Sequence, residues 1–392
     1  ACISIVAKAL VYLINLITNL SFHHHWSVEE GSPATHQYGI FVIVIPAIGG
    51  LIVGLMALYG HRAIRGHGIP EAMEQILTNN SKIRPSITYL KPLSSAISIG
   101  TGGPFGAEGP IIATGGAFGS TIGQLLRISS HERKILLTSG ATAGMSAIFG
   151  SPVAAIFLAI ELLLFEFSPK SMIPVALACI TGAAGHHLFF SAGPVFPAPA
   201  MEAASNSALA AYSAIGILIG LLAAGVTKVV YLIEDAFEKL PVHWMWWPAI
   251  GGLVVGVVGY FAPHTLGVGY DNITHVMSGQ MTLQVILTLA IMKFISWSIA
   301  LGSGTSGGTL APLLTIGGAA GAALGSGAVA LFPNAEVQVP MAALIGMSAM
   351  FAGASRALLT SIVFAIETTG QENALPPLLA ACFAAYLVSY FL

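Results

Sequence analysis

Gly102-Gly103-Pro104-Phe105-Gly106-Ala107-Glu108-Gly109-Pro110 is the stretch on which the fold turns. The flanks are apolar for many residues on either side, while the stretch itself is rich in Gly and Pro, so Glu108 is carried into a membrane on irregular backbone. Ionisable side chains at membrane depth are rare and mark ion pathways. Non-helical backbone survives there only where protein buries it or it lines a wet cavity. The stretch implies an ion path with Glu108 as its gate.

Composition sets the class. Only 8% of the 392 residues are charged and 55% are hydrophobic, against about 25% charged in an average soluble chain. The chain is an all-α integral membrane protein: runs such as 208–224 and 374–392 approach the roughly 20 residues of a spanning helix, and no two-residue alternation suggests a membrane barrel. The first apolar run, Ile3 to Leu20, reads as a membrane helix because so many spans follow it. The 45 Gly and 21 Pro forecast close helix contacts and helices that break or start inside the bilayer. A net charge of −2 argues against nucleic acid as a partner. Cys2, Cys179 and Cys382 have no metal-like spacing and read as small hydrophobes.

The chain repeats itself. Pro46-Ala47-Ile48-Gly49-Gly50-Leu51 returns as Pro248-Ala249-Ile250-Gly251-Gly252-Leu253, Lys91 returns as Lys293, and Gly144 to Phe149 returns as Gly346 to Phe351, all at an offset of 202. Gly66-His67-Gly68 returns as Gly267-Val268-Gly269. The opening stretch, taken from Gly100 to Pro110, falls on Gly302 to Pro312, so that Gly106 matches Gly308 and Glu108 matches Leu310. Ala159-Ile160-Glu161 matches Ala365-Ile366-Glu367 only after a shift of four residues. The expected organisation is a first half over 1–195, a linker over 196–207 and a second half over 208–392. Such halves are characteristic of transport folds.

Each half holds about eight apolar segments. The short ones, Pro70 to Leu77, Pro110 to Leu125, Asn272 to Met277 and Ala311 to Leu324, each begin at a Gly- or Pro-containing break. A helix start exposes unpaired N–H groups and the positive end of the helix dipole, which attract an anion without a full positive charge. Three such starts, after Gly66 to Pro70, at Ala107 to Pro110 and at Thr309 to Pro312, can converge on one anion.

These three pentads, Gly66-His67-Gly68-Ile69-Pro70, Gly106-Ala107-Glu108-Gly109-Pro110 and Gly308-Thr309-Leu310-Ala311-Pro312, resemble in order and spacing the signature loops of the CLC chloride channels and proton/chloride exchangers. The resemblance covers nearly the whole chain. It implies an inverted-repeat fold with many broken and re-entrant helices, a homodimer with one anion path per subunit, and a multi-pass protein of a bacterial inner membrane. It further implies chloride as the transported ligand, with protons as the second partner. His67, Gly68, Ile69, Pro70, Ala107, Glu108, Gly109, Thr309 and Leu310 would surround the anion, and Glu108 would match the gating glutamate that competes with it. No cofactor, no metal and no enzyme activity are expected.

This chain departs from the family pattern in four places. His67 stands where Ser, or sometimes Pro, is usual; an imidazole N–H can donate to an anion, and with a reference pKa of about 6.5 it would make binding pH-dependent near that value. The bland alternative is a neutral ring turned aside. Leu162 replaces the internal glutamate of the exchangers and cannot carry a proton, which favours channel mode over proton-coupled exchange. Glu161, repeated as Glu367, reads as structural. Thr309-Leu310 replaces Ile-Phe, and the family's central tyrosine would follow Leu392.

Other features read more plainly. His23-His24-His25 reads as an interfacial loop in preference to a metal site, His186-His187 as the wet end of a helix, and Trp244, Trp246 and Trp247 as an interfacial aromatic belt. A rival from another class, a rhomboid-type intramembrane serine protease, rests on Gly304-Thr305-Ser306-Gly307 alone. It is weakened because Ser306 falls on Pro104 in the repeat.

Overall fold

A computed structural model describes residues 1–190, 193–279 and 281–392. Ser191 and Ala192, near the end of the expected first half, and Gln280 lie outside the described residues.

The described residues form helices and no strand. In the first half these are α1 (Cys2–His23), α2 (Val44–Tyr59), α3 (Ile69–Thr78), α4 (Ile87–Gly100), α5 (Glu108–Leu125), α6 (Ser130–Phe149), α7 (Pro152–Leu158) and α8 (Pro169–Phe189). The second half holds α9 (Asn206–Glu238), α10 (Trp247–Phe261), α11 (Tyr270–Met277), α12 (Leu283–Gly302), α13 (Leu310–Leu331), α14 (Val339–Ser355), α15 (Leu358–Thr369) and α16 (Leu375–Phe391). Eight helical segments among the described residues are long and apolar enough to cross a membrane. The short helices expected after the Gly/Pro breaks are α3, α5, α11 and α13, of which α5 and α13 extend to 18 and 22 residues.

The four-residue shift in the repeat has a simple cause. α6 ends at Phe149 and is capped by Gly150 in the left-handed conformation, whereas α14 continues past the matching Phe351 to Ser355 before Arg356 caps it in the same way. The insertion is therefore one further helical turn. After α7 the chain winds as a π turn, Ala159–Leu164, which carries Glu161 and Leu162.

The chain forms two compact units, Ala1–Ala192 with Val230–Val268 and Ile295–Thr309, and Gly193–Val229 with Gly269–Phe294 and Leu310–Leu392. Within the first unit, the two copies of the Pro-Ala-Ile-Gly-Gly-Leu segment pack on each other. A Cβ at Gly50 would strike the carbonyl of Pro248, and a Cβ at Gly252 would strike that of Pro46. One turn on, Gly54 abuts Met245 while Gly256 abuts Ile43, so α2 and α10 run antiparallel, as an inverted repeat requires. α5 crosses α6 with the backbones of Gly115 and Gly140 in contact, and in the second unit α13 crosses α14 with Gly317 against Gly346. Small residues of this kind let helix backbones approach closely where lipid offers no hydrophobic drive. α6 starts on a capping box, the Ser129 hydroxyl accepting from the Glu132 N–H while the Glu132 carboxylate accepts from the Ser129 N–H.

Candidate functional site

The three Gly/Pro loops meet in the first unit through their backbones. Gly106 and Gly308, which are counterparts in the repeat, exchange both N–H···O bonds at 3.0 Å as an antiparallel pair. Gly66 pairs in parallel with Ser306, its N–H donating to Thr305 O at 3.5 Å while Gly307 N–H donates to Gly66 O at 3.4 Å. Gly68, held at φ 102°, lies against the backbone of Gly109, and Gly109 in turn abuts Gly308 and the carbonyl of His67. His67, Gly68, Ala107, Glu108, Gly109 and Thr309 are thus brought to one place. Ile69 and Pro70 open α3 beside them, and Leu310 opens α13 in the second unit.

Glu108 is the first residue of α5 and is 1% exposed. Its carboxylate is folded back over the paired glycines: a Cβ at Gly106 would collide with both carboxylate oxygens, and one at Gly308 would lie 2.8 Å from Oε1. Only glycine leaves that seat open. Ala107 and Thr309 stand immediately before the first residues of α5 and α13. Here are N–H groups at helix starts with a carboxylate folded in among them.

His67 sits between the spans, with Nδ1 enclosed and without a hydrogen-bond partner among the described residues. Burial lowers its pKa to about 4, and the Lys91 ammonium adds to the shift. The expected titration near 6.5 is therefore corrected: the ring is neutral at physiological pH and can serve an anion only as a neutral N–H donor.

Sequence reasoning noticed Lys91 only as a repeated residue. Its Nζ is fully buried and donates to Ile64 O at 3.0 Å, Gly66 O at 3.0 Å and Glu71 Oε1 at 3.1 Å, with Glu71 Oε2 at 3.0 Å. This clamp fixes the first loop from behind. In the second unit Lys293 is likewise buried and lies beside Gly269, the counterpart of Gly68. Arg65 adds a tie to the third loop: its Nε donates to Gly304 O at 3.1 Å, and its guanidinium rests over Trp244 and Trp247 at 5.3 and 5.4 Å.

The remaining features are placed as follows. The Ser306 hydroxyl bonds to those of Ser94 at 3.1 Å and Ser95 at 2.8 Å, with no imidazole partner among the described residues, as a loop-fixing group would. Leu162 is buried on the π turn. His186 is not at a wet helix end: it is 3% exposed, bonded through Nδ1 to Ala147 O at 3.0 Å and stacked on Phe190, because Gly150 leaves room for its ring. His187 is exposed. His23, His24 and His25 line a polar cavity of about 760 Å³, and no three His, Cys, Asp or Glu side chains among the described residues are placed to hold a metal. Trp246 is exposed, while Trp244 and Trp247 carry the arginines.

Comparison with known proteins decides the family. The sequence model described as voltage gated chloride channel matches residues 49–390. The chain belongs to that family. It is 27% identical over 415 residues to the H(+)/Cl(−) exchange transporter ClcA of Yersinia pestis, covering 100% of this chain and 85% of the relative. It is also 27% identical over 352 residues to a ClcB-like chloride channel protein of Ralstonia nicotianae, covering 89% of this chain and 82% of that protein. Among solved structures, a slow cyanobacterial Cl−/H+ antiporter superposes with a TM-score of 0.86 at 20% identity, over 100% of this chain and 93% of the other. The family fold, with its many helices and multiple membrane spans, is that of this chain.

Proposed function

We infer that the protein exchanges chloride for protons across a membrane, with Glu108 as the protonatable gate. The observation that carries this reading is the Glu108 carboxylate folded over the Gly106–Gly308 pair at the start of α5, where the positive end of the helix dipole would attract an anion. When ionised, the carboxylate satisfies the local positive potential and excludes chloride. When protonated, it loses that attraction and leaves the seat to the anion. Leu162 pointed to channel mode, but the whole-length relative named as an exchange transporter supports exchange instead. Nitrate and fluoride are the competing anions, with His67 as the residue that discriminates among them. A homodimer is part of the same proposal.

Glu108→Gln tests the gate. The amide keeps the size of the side chain without its titration, so chloride flux into liposomes is expected to change and to lose its pH dependence. Flux and pH response equal to the parent's would exclude Glu108 as the gate.

A further inference from the structure

Exchange requires a proton to reach Glu108, a side chain with almost no exposed surface. α3 offers a graded series of carboxylates toward it. Glu74 is exposed, Glu71 lies one turn nearer the loop with 24% of its side chain exposed, and beyond Glu71 stands the fully buried Lys91 ammonium. Residues three apart share one helix face, and this face runs from water to the first loop. The Glu71 carboxylate touches Gly66, where a Cβ would meet Oε1, and is also bonded by the Gly68 amide. Gly68 in turn abuts Gly109, the residue after Glu108.

We propose that Glu71 is the proton relay between the aqueous face of α3 and Glu108. The inference rests on the exchange reading above. Lys91 is held by two carbonyls and by Glu71 itself, and Glu74 is the outer member of the series. His67 is neutral, Glu161 stands on the π turn packed against α3, and Glu108 is the acceptor. The neighbour of Glu161 is the apolar Leu162.

The step balances as a simple transfer. The Glu71 carboxylate takes a proton from hydronium on the aqueous side, releasing water, and becomes a neutral acid, while Lys91 keeps its own three protons and its bonds to Ile64 O and Gly66 O. The acid then gives the proton through water to the Glu108 carboxylate. Glu71 is ionised again, Glu108 is neutral, and no group is oxidised or reduced. Burial raises the Glu71 pKa and so favours the loaded acid, while the Lys91 ammonium pulls the other way and helps return it to the ionised state after each transfer.

The test is paired proton and chloride flux from liposomes holding Glu71→Gln. Chloride flux is expected to persist, with proton flux reduced by about 10²-fold, the scale of a positioned acid–base group. Glu71→Asp, which retains a carboxylate, is expected to restore much of the proton flux. Should Glu71→Gln leave Lys91 unpaired and the protein unfolded, Glu71→Gln/Lys91→Met removes both charges; its chloride flux is expected to fall with the loosened loop, and its proton flux to fall about 10²-fold further. Proton flux equal to the parent's in Glu71→Gln or in the double variant overturns the relay. So does an equal fall of both fluxes in both variants, which would make the pair a loop clamp and nothing more. A parent that moves chloride without protons refutes the exchange reading itself, and the relay with it.

Discussion

Gly106→Ala places a methyl group where the Glu108 carboxylate now lies. Gly106 is not among the residues with positive φ, so alanine suits its backbone, and the clash falls on the mobile end of a side chain. Two oxygens would have to give way from well inside the roughly 3.5 Å of a relaxed contact. Overpacking of this kind costs about 1–3 kcal/mol, and moving the carboxylate away relieves it. That shifts the ratio of unseated to seated Glu108 by about 5- to 150-fold. The assay is chloride efflux from liposomes between about pH 3.5 and 7.5, a window that brackets the ordinary glutamate value of about 4.3. The alanine variant is expected to conduct at neutral pH as the parent does when acidified, with a flattened pH profile. An unchanged profile in a correctly folded variant would refute the seat seen at the Gly106–Gly308 pair.

Two further outcomes follow from the surroundings of the site. His67→Ala is expected to weaken chloride binding by about 10- to 150-fold, the value of a hydrogen bond to a charged group. The loss should be uniform from pH 5.5 to 8, since the ring is neutral throughout with its pKa lowered to about 4; calorimetry that finds weakening only below pH 6.5 would contradict this. Lys91→Met breaks the buried pair, strips Ile64 O of its donor and leaves Gly66 O only the long bond from Gly307 N–H, at a cost of about 3–5 kcal/mol. The apparent thermal midpoint in detergent should fall clearly, and Glu71→Gln should recover part of the loss in the Lys91→Met background. Equal midpoints for parent and Lys91→Met would show that the clamp contributes nothing.

Much of the architecture was legible because it is written in local composition. Apolar runs mark the spans, Gly/Pro breaks mark helix starts, and the 202-residue offset aligned segments that pack on one another, as with Pro46–Gly50 and Pro248–Gly252. Even the four-residue shift was visible, though its cause, an added turn of α14, needed helix ends to be seen. The parts that could not be read depend on contacts between distant residues. Nothing in the neighbourhood of Lys91 says that it reaches Ile64 and Gly66, or that Glu71 will share its proton donors. A lysine inside an apolar helix, repeated at Lys293, was the available signal. His186 was misplaced for the same reason: its burial depends on the space left by Gly150, 36 positions earlier in the chain. The neutral state of His67 depends on enclosure and on Lys91, neither of which its own loop displays.

The most direct measurement is the reversal potential of the parent protein in a planar bilayer under opposing chloride and proton gradients. Displacement from the chloride Nernst potential toward that of the proton, abolished in Glu108→Gln, is the predicted result. A reversal potential that follows chloride alone, whatever the proton gradient, would contradict exchange and restore the channel reading that Leu162 first suggested.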